Sequence, residues 1–126
     1  MDENLIIGDS LTLAEETSDP DKKYIVLKVI GFIDSNNFFD FQREANNILQ
    51  SGYKNVVFNC EELNYVSSSG IAAFTSFYKT VKEKNGIVVL SNLQKRVKEI
   101  FHLIKMSSIL KIVDTVDEAV GSLTNG

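Results

Sequence analysis

Cysteine, histidine and proline each occur once in the chain, as Cys60, His102 and Pro20, and each scarcity removes a class of explanation. One thiol closes no internal disulfide, so the composition favours an intracellular, cytoplasmic setting. One histidine leaves little for a metal centre. No His/Cys cluster exists, and the neighbouring pair Glu61–Glu62 reads as solvated surface, so no metal and no cofactor are expected. No apolar run approaches the ~18 residues of a membrane-spanning helix. The opening stretch MDENLIIGDS is acidic and lacks the basic start of a secretory signal. There is no excess of positive charge either. The net charge of −4 argues against nucleic-acid binding as the main task. Internal repeats and low-complexity segments are also absent.

What remains is the composition of one soluble domain. The 126 residues are 44% hydrophobic and 24% charged, enough to bury a core without staples, and they are read as a single domain over 1–126. Pro20 marks a turn in SDPDKK. Before it, Leu11–Thr17 alternates weakly and is expected as an edge strand. After it, Tyr24–Ile33 (YIVLKVIGFI) is nearly continuously apolar and β-branched, as a strand covered on both faces is. Phe38, Phe41, Ala45, Ile48 and Leu49 fall at helical spacing, with Phe39 off that stripe and Gly52 to end the helix. Asn55–Cys60 reads as a second buried strand. Ile71, Phe74, Phe77, Tyr78 and Val81 mark one face of a helix over Ser69–Lys84, closed by Asn85–Gly86. Ile87–Asn92 is a third buried strand. Val97, Ile100, Phe101 and Ile104 form another helical stripe. Ile109–Asp114 is a short last strand, and a final helix starts with Thr115 as N-cap and Glu118 at the capping-box position. The order β-β-α-β-α-β-α-β-α predicts an α/β fold with a mixed, mostly parallel sheet of about four to five strands and about four helices. The first two strands, joined by a short turn, are expected to be antiparallel.

Three consecutive serines, Ser67–Ser69, stand where the second buried strand gives way to a helix. In such folds functional groups gather beyond the carboxyl ends of the strands. Four backbone N–H groups at a helix start lack helical partners, and a serine hydroxyl accepts from one of them. Ser67 or Ser68 is the expected N-cap, but one cap does not call for three serines. A hydrolase elbow of the form G-x-S-x-G fails, because Tyr65 or Val66 would have to be glycine, and the only histidine lies in a later helix. The phosphate loop G-x-x-x-x-G-K-[ST] is absent. A helix start does tolerate an anion, so a phosphorylation switch fits: phosphate adds about −1.5 to −2 charges there and leaves the fold intact.

The motifs resemble a known family. GFID (Gly31–Asp34) matches a G-x-[LI]-D pattern, LNYVSSSGIAAF matches an apolar stretch followed by D-S-[SA]-G-[LI], and the element order from Gly86 to Val120 follows the same plan. Over roughly residues 11–123 the chain resembles a STAS domain of the bacterial anti-sigma factor antagonist type. That resemblance implies a non-enzymatic partner-switching protein of transcription regulation. Its serine before the glycine, here Ser69, is phosphorylated by an anti-sigma factor that is itself a serine kinase, and a PP2C-type phosphatase resets it. Ser68 is the alternative acceptor if the turn is shifted by one residue. Asp34 matches a partner-contacting acidic residue, though it is equally suited to cap the helix beginning near Asn37. Ser67 stands where the family usually has Asp, which keeps open a second reading: a non-phosphorylated scaffold subunit of a signalling or lipid-transport complex. The expected partner surface comprises Asp34, Phe39, Ser67, Ser68 and Gly70. Gly70 also allows close packing at the helix start. Lys79, Lys82 and Lys84 read as a solvated helix face, and the chain as a monomer or weak dimer with no nucleic acid and no membrane insertion.

Overall fold

The computed structural model describes residues 4–8, 10–21 and 23–124. Among the described residues, six strands lie in one sheet in strictly sequential order. They are β1 (Asn4–Gly8), β2 (Leu11–Ser18), β3 (Ile25–Ile33), β4 (Asn55–Val66), β5 (Ile87–Ser91) and β6 (Lys111–Val113). The first three run antiparallel to their neighbours, and β3 to β6 are parallel. Helices α1 (Phe38–Gln50), α2 (Ser68–Glu83) and α3 (Lys95–Leu103) connect the parallel strands, and α4 (Val116–Thr124) follows the last. A single 3₁₀ turn, Met106–Ser108, separates α3 from β6. The mixed α/β architecture and the four helices are those read from the sequence, with one strand, β1, added at the sheet edge. Leu11–Thr17 is therefore not an edge strand, because β1 pairs outside it.

Strand order explains where the helices go. Parallel crossovers are almost always right-handed. When each step moves to the next strand in the same direction, all the connecting helices land on one face. That face holds the main core. The fully buried Phe58 of β4 touches Phe41 of α1 and Phe74 and Phe77 of α2, at centroid distances of 5.7, 5.4 and 5.4 Å. Phe74 in turn meets Phe101 of α3 at 6.0 Å. Edge-to-face ring pairs of this kind contribute about 0.5–1.5 kcal/mol beyond the area they bury. The opposite face carries a smaller cluster, in which α4 lays Ala119 over Val26, Val57 and Val89, three residues aligned across β3, β4 and β5.

Helix ends follow their local chemistry. Thr115 Oγ1 accepts the Glu118 N–H at 3.1 Å, the expected cap of α4. Gly52, at φ +118°, stands past the end of α1. Asn85, also at positive φ, leads into Gly86, whose N–H reaches back to the Val81 carbonyl at 2.9 Å and closes α2. Among the described residues no helix is long and apolar enough to cross a membrane.

Candidate functional site

The carboxyl ends of β3 and β4 lie side by side, Ile33 paired with Val66, and both chains turn there into helices on the same face. The two turns are joined: the Ser67 N–H donates to the Ile33 carbonyl at 2.9 Å. Ser67 is the N-cap of α2. Its extended backbone (φ −86°, ψ 175°) aims Oγ at the Gly70 N–H, 3.2 Å away, while its carbonyl accepts the Ile71 N–H at 2.9 Å. Of the two serines that could have capped the helix, the structure uses Ser67.

Ser68 and Ser69 then occupy the first two helical positions. Ser68 is exposed and Ser69 half-buried, and among the described residues neither hydroxyl has a hydrogen-bond partner. Gly70, the third position, is buried. A Cβ there would stand 2.7 Å from Val66 Cγ2 and 2.8 Å from the Ile33 carbonyl oxygen. Only glycine lets the first turn of α2 lie this close to the strand ends, so its role is packing.

Asp34 heads the neighbouring turn. Its Oδ1 accepts the Asn36 N–H at 2.9 Å, and its carbonyl accepts from Asn37 and Phe38. It does not cap α1: the N-cap is Asn37, whose side chain is used elsewhere. Asn37, only 6% exposed, is the residue that sequence reasoning passed over. Its Oδ1 accepts the Asp34 N–H at 2.9 Å, and its Nδ2 donates to Ser10 Oγ at 3.0 Å and to the Phe32 carbonyl at 2.9 Å. One amide thus holds the Asp34 turn against the β1–β2 turn and the end of β3. A pattern search misses it because a buried Asn is justified by distant partners. Phe39, in the first turn of α1, is 70% exposed and its ring lies 4.1 Å (centroids) from that of Phe38.

From Ser68 the exposed side of α2 continues as an open groove of about 440 Å³, lined by Ile71, Ala72, Thr75, Lys79, Ile104 and Met106. The Thr75 hydroxyl, which donates to the Ile71 carbonyl at 3.0 Å, also lies 3.2 Å from Met106 Sδ in the loop that forms the far wall. Lys79, Lys82 and Lys84 are exposed, as a solvated face would be.

The site presents hydroxyls, one carboxylate and apolar surface. His102 is exposed on α3, in a different helix from the serines. Cys60 is fully buried, and burial pushes its thiol well above the ordinary range, so it presents no thiolate. Among the described residues no three His, Cys, Asp or Glu side chains are placed to hold a metal ion.

Solved structures share the fold. An anti-sigma factor antagonist from Mycobacterium paratuberculosis superposes with a TM-score of 0.76 at 20% identity, over 95% of this chain and 99% of that one. The Bacillus cell fate determinant SpoIIAA in its phosphorylated form gives 0.64 at 17% identity, over 90% and 99%. A sulfate transporter family protein from Wolinella succinogenes gives 0.65 at 13%, over 86% and 89%. No curated protein sequence matches the chain. The family model described as STAS domain matches residues 14–119, which spans most of β2 through the middle of α4 and includes both turns of the site: the chain belongs to the STAS domain family.

Proposed function

We propose that this STAS domain is a cytoplasmic anti-sigma factor antagonist, controlled by phosphorylation of Ser69. In its unmodified form it binds an anti-sigma factor that is also a serine kinase, and so releases the sigma factor. The surface used is Asp34, Phe39 and Ser67–Ser69, with the expected contact Gly70 buried beneath it as packing, and it continues along the groove of α2. The observation that carries the reading is Ser69 itself: a half-buried hydroxyl that, among the described residues, has no hydrogen-bond partner, on the first turn of a helix whose cap is already supplied by Ser67. Ser69 is spare as far as the fold is concerned.

The kinase would transfer the γ-phosphoryl group of ATP to Ser69 Oγ. The new O–P bond replaces the bond to ADP, and the hydroxyl proton leaves to a base of the kinase. This chain supplies the acceptor and no catalytic group. Phosphate at that position meets unpaired N–H groups and the positive end of the α2 dipole, so the fold tolerates it. A partner packed against the same turn meets about −1.5 to −2 new charges and dissociates. A PP2C-type phosphatase restores the hydroxyl.

Incubation with the cognate kinase and ATP, followed by mass spectrometry, should place phosphate on Ser69. Ser68, the more exposed of the two, is the alternative acceptor. Ser69→Ala should keep partner binding and lose its regulation, and Ser69→Glu should weaken binding. Phosphate outside Ser67–Ser69, or wild-type affinity for Ser69→Glu, would refute the switch. Serine in place of the family's usual aspartate at position 67 favours a second reading, a STAS scaffold subunit that is never phosphorylated. Recovery of transporter subunits instead of a kinase in pull-downs would support it.

A further inference from the structure

The far face of the sheet is only half covered. All three crossover helices lie on the other side, and α4, nine residues and roughly 14 Å long, spans only the valine band near the starts of β3, β4 and β5. Toward the carboxyl ends no described residue covers the strands. Phe32 of β3 and Tyr65 of β4 are register partners there, 37% and 51% exposed. Ile30, and beside it Thr12 and Ala14 of β2, are half-buried and extend the surface between the aromatic pair and α4.

We propose that this bare half of the sheet docks an amphipathic helix of a partner protein, with an apolar stripe flanked by lysine or arginine. A helix is the fitting shape because β3 and β4 are interior strands with neighbours on both sides, which leaves no edge for strand addition. The helix would lie on the sheet as α4 already does.

Charge selects its flanks. Glu16, Glu61 and Glu62 all act on Lys28, which pairs with Glu62 at 2.6 Å, while Glu16 Oε1 accepts Asn59 Nδ2 at 2.9 Å. Three carboxylates share one cation, Lys28, on the stretch of this face between Ile30 and the valine band under α4. Such a rim repels a phosphate backbone or an anionic membrane, and it sets like charge against like in a face-to-face pair of this chain. It attracts a basic helix. The surface is separate from the α2 groove and does not depend on phosphorylation.

Three synthetic helices of about 18 residues, roughly 27 Å long, would test this against the isotope-labelled full chain by amide chemical shifts. One carries an apolar stripe with lysine flanks, one the same stripe with glutamate flanks, and one the lysine composition with the stripe scrambled. The first should shift amides of Ile30–Phe32 and Glu62–Tyr65. Tyr65→Ser, and separately Glu61→Gln with Glu62→Gln, should each weaken it about tenfold or more. Tyr65 is half exposed, so its variant should keep a native spectrum, and Phe32→Ser provides a second check. Equal binding of the glutamate or scrambled helix, shifts confined to the α2 groove, or no shifts at all would overturn the proposal. So would self-association of the free chain that Tyr65→Ser abolishes.

Discussion

Replacement of Ser67 separates the capping role within the serine triplet from the proposed regulatory one. Its Oγ is the acceptor for the Gly70 N–H. Ser67→Ala removes that acceptor and should cost about 1 kcal/mol, within a range of ~0.5–2 for such caps. Unfolding entropy near the midpoint is about 2.1 cal/mol/K per residue, or roughly 0.26 kcal/mol/K for a chain of this length. The midpoint should therefore fall by about 4 °C. Ser67→Asp restores the acceptor and adds negative charge at the positive end of α2, worth ~0.3–1 kcal/mol, so its midpoint should equal the wild type's or exceed it by up to about 4 °C. Added salt should shrink that gain and leave the alanine loss nearly unchanged. Thermal melts followed by circular dichroism at two salt concentrations measure all of this. An alanine variant within 1 °C of wild type would mean that the hydroxyl does not cap. An aspartate variant less stable than alanine would mean that this helix end rejects negative charge, and the tolerance claimed for phosphate at Ser69 would fail with it.

Gly70→Ala should destabilise by about 1–3 kcal/mol, since its Cβ would press on Val66 and on the Ile33 carbonyl, and chemical denaturation would show a lower midpoint with an unchanged slope. Cys60, buried and with its thiol pushed up, should react with an aromatic disulfide reagent at neutral pH only at the rate of global unfolding, and at once in denaturant; fast reaction in the native state would contradict the packing of β4.

Much of this architecture could be read from periodicity, because buried parallel strands and single-faced helices both leave strong patterns. Ile71, Phe74, Phe77 and Val81 of α2 are buried as their spacing predicts, and Phe39 stands outside its stripe and outside the core. The misreadings share a cause: burial depends on distant chain. Tyr24–Ile33 looks like a strand covered on both faces, yet Phe32 is exposed because α4 stops short of it. Strand β4 runs on from Cys60 to Val66 through EELNY, a polar stretch that reads as loop. Two register shifts against β3 let Leu63 and Val66 return to the core between outward residues, which breaks the period-2 signal. Within the site, Ser67–Ser69 was recognisable as a helix start, but which serine capped it was a matter of one residue of register. Asn37 left no local sign, since its worth lies in Ser10, Phe32 and Asp34.

The bond from the Ser67 N–H to the Ile33 carbonyl has a thermodynamic corollary for recognition. Because it couples the two loops in the free molecule, a binder meets them already in their final arrangement and loses little entropy in fixing them. Under the proposed switch, release on phosphorylation would then require no remodelling: the equilibrium could be reversed by electrostatics alone, on a surface whose shape stays the same.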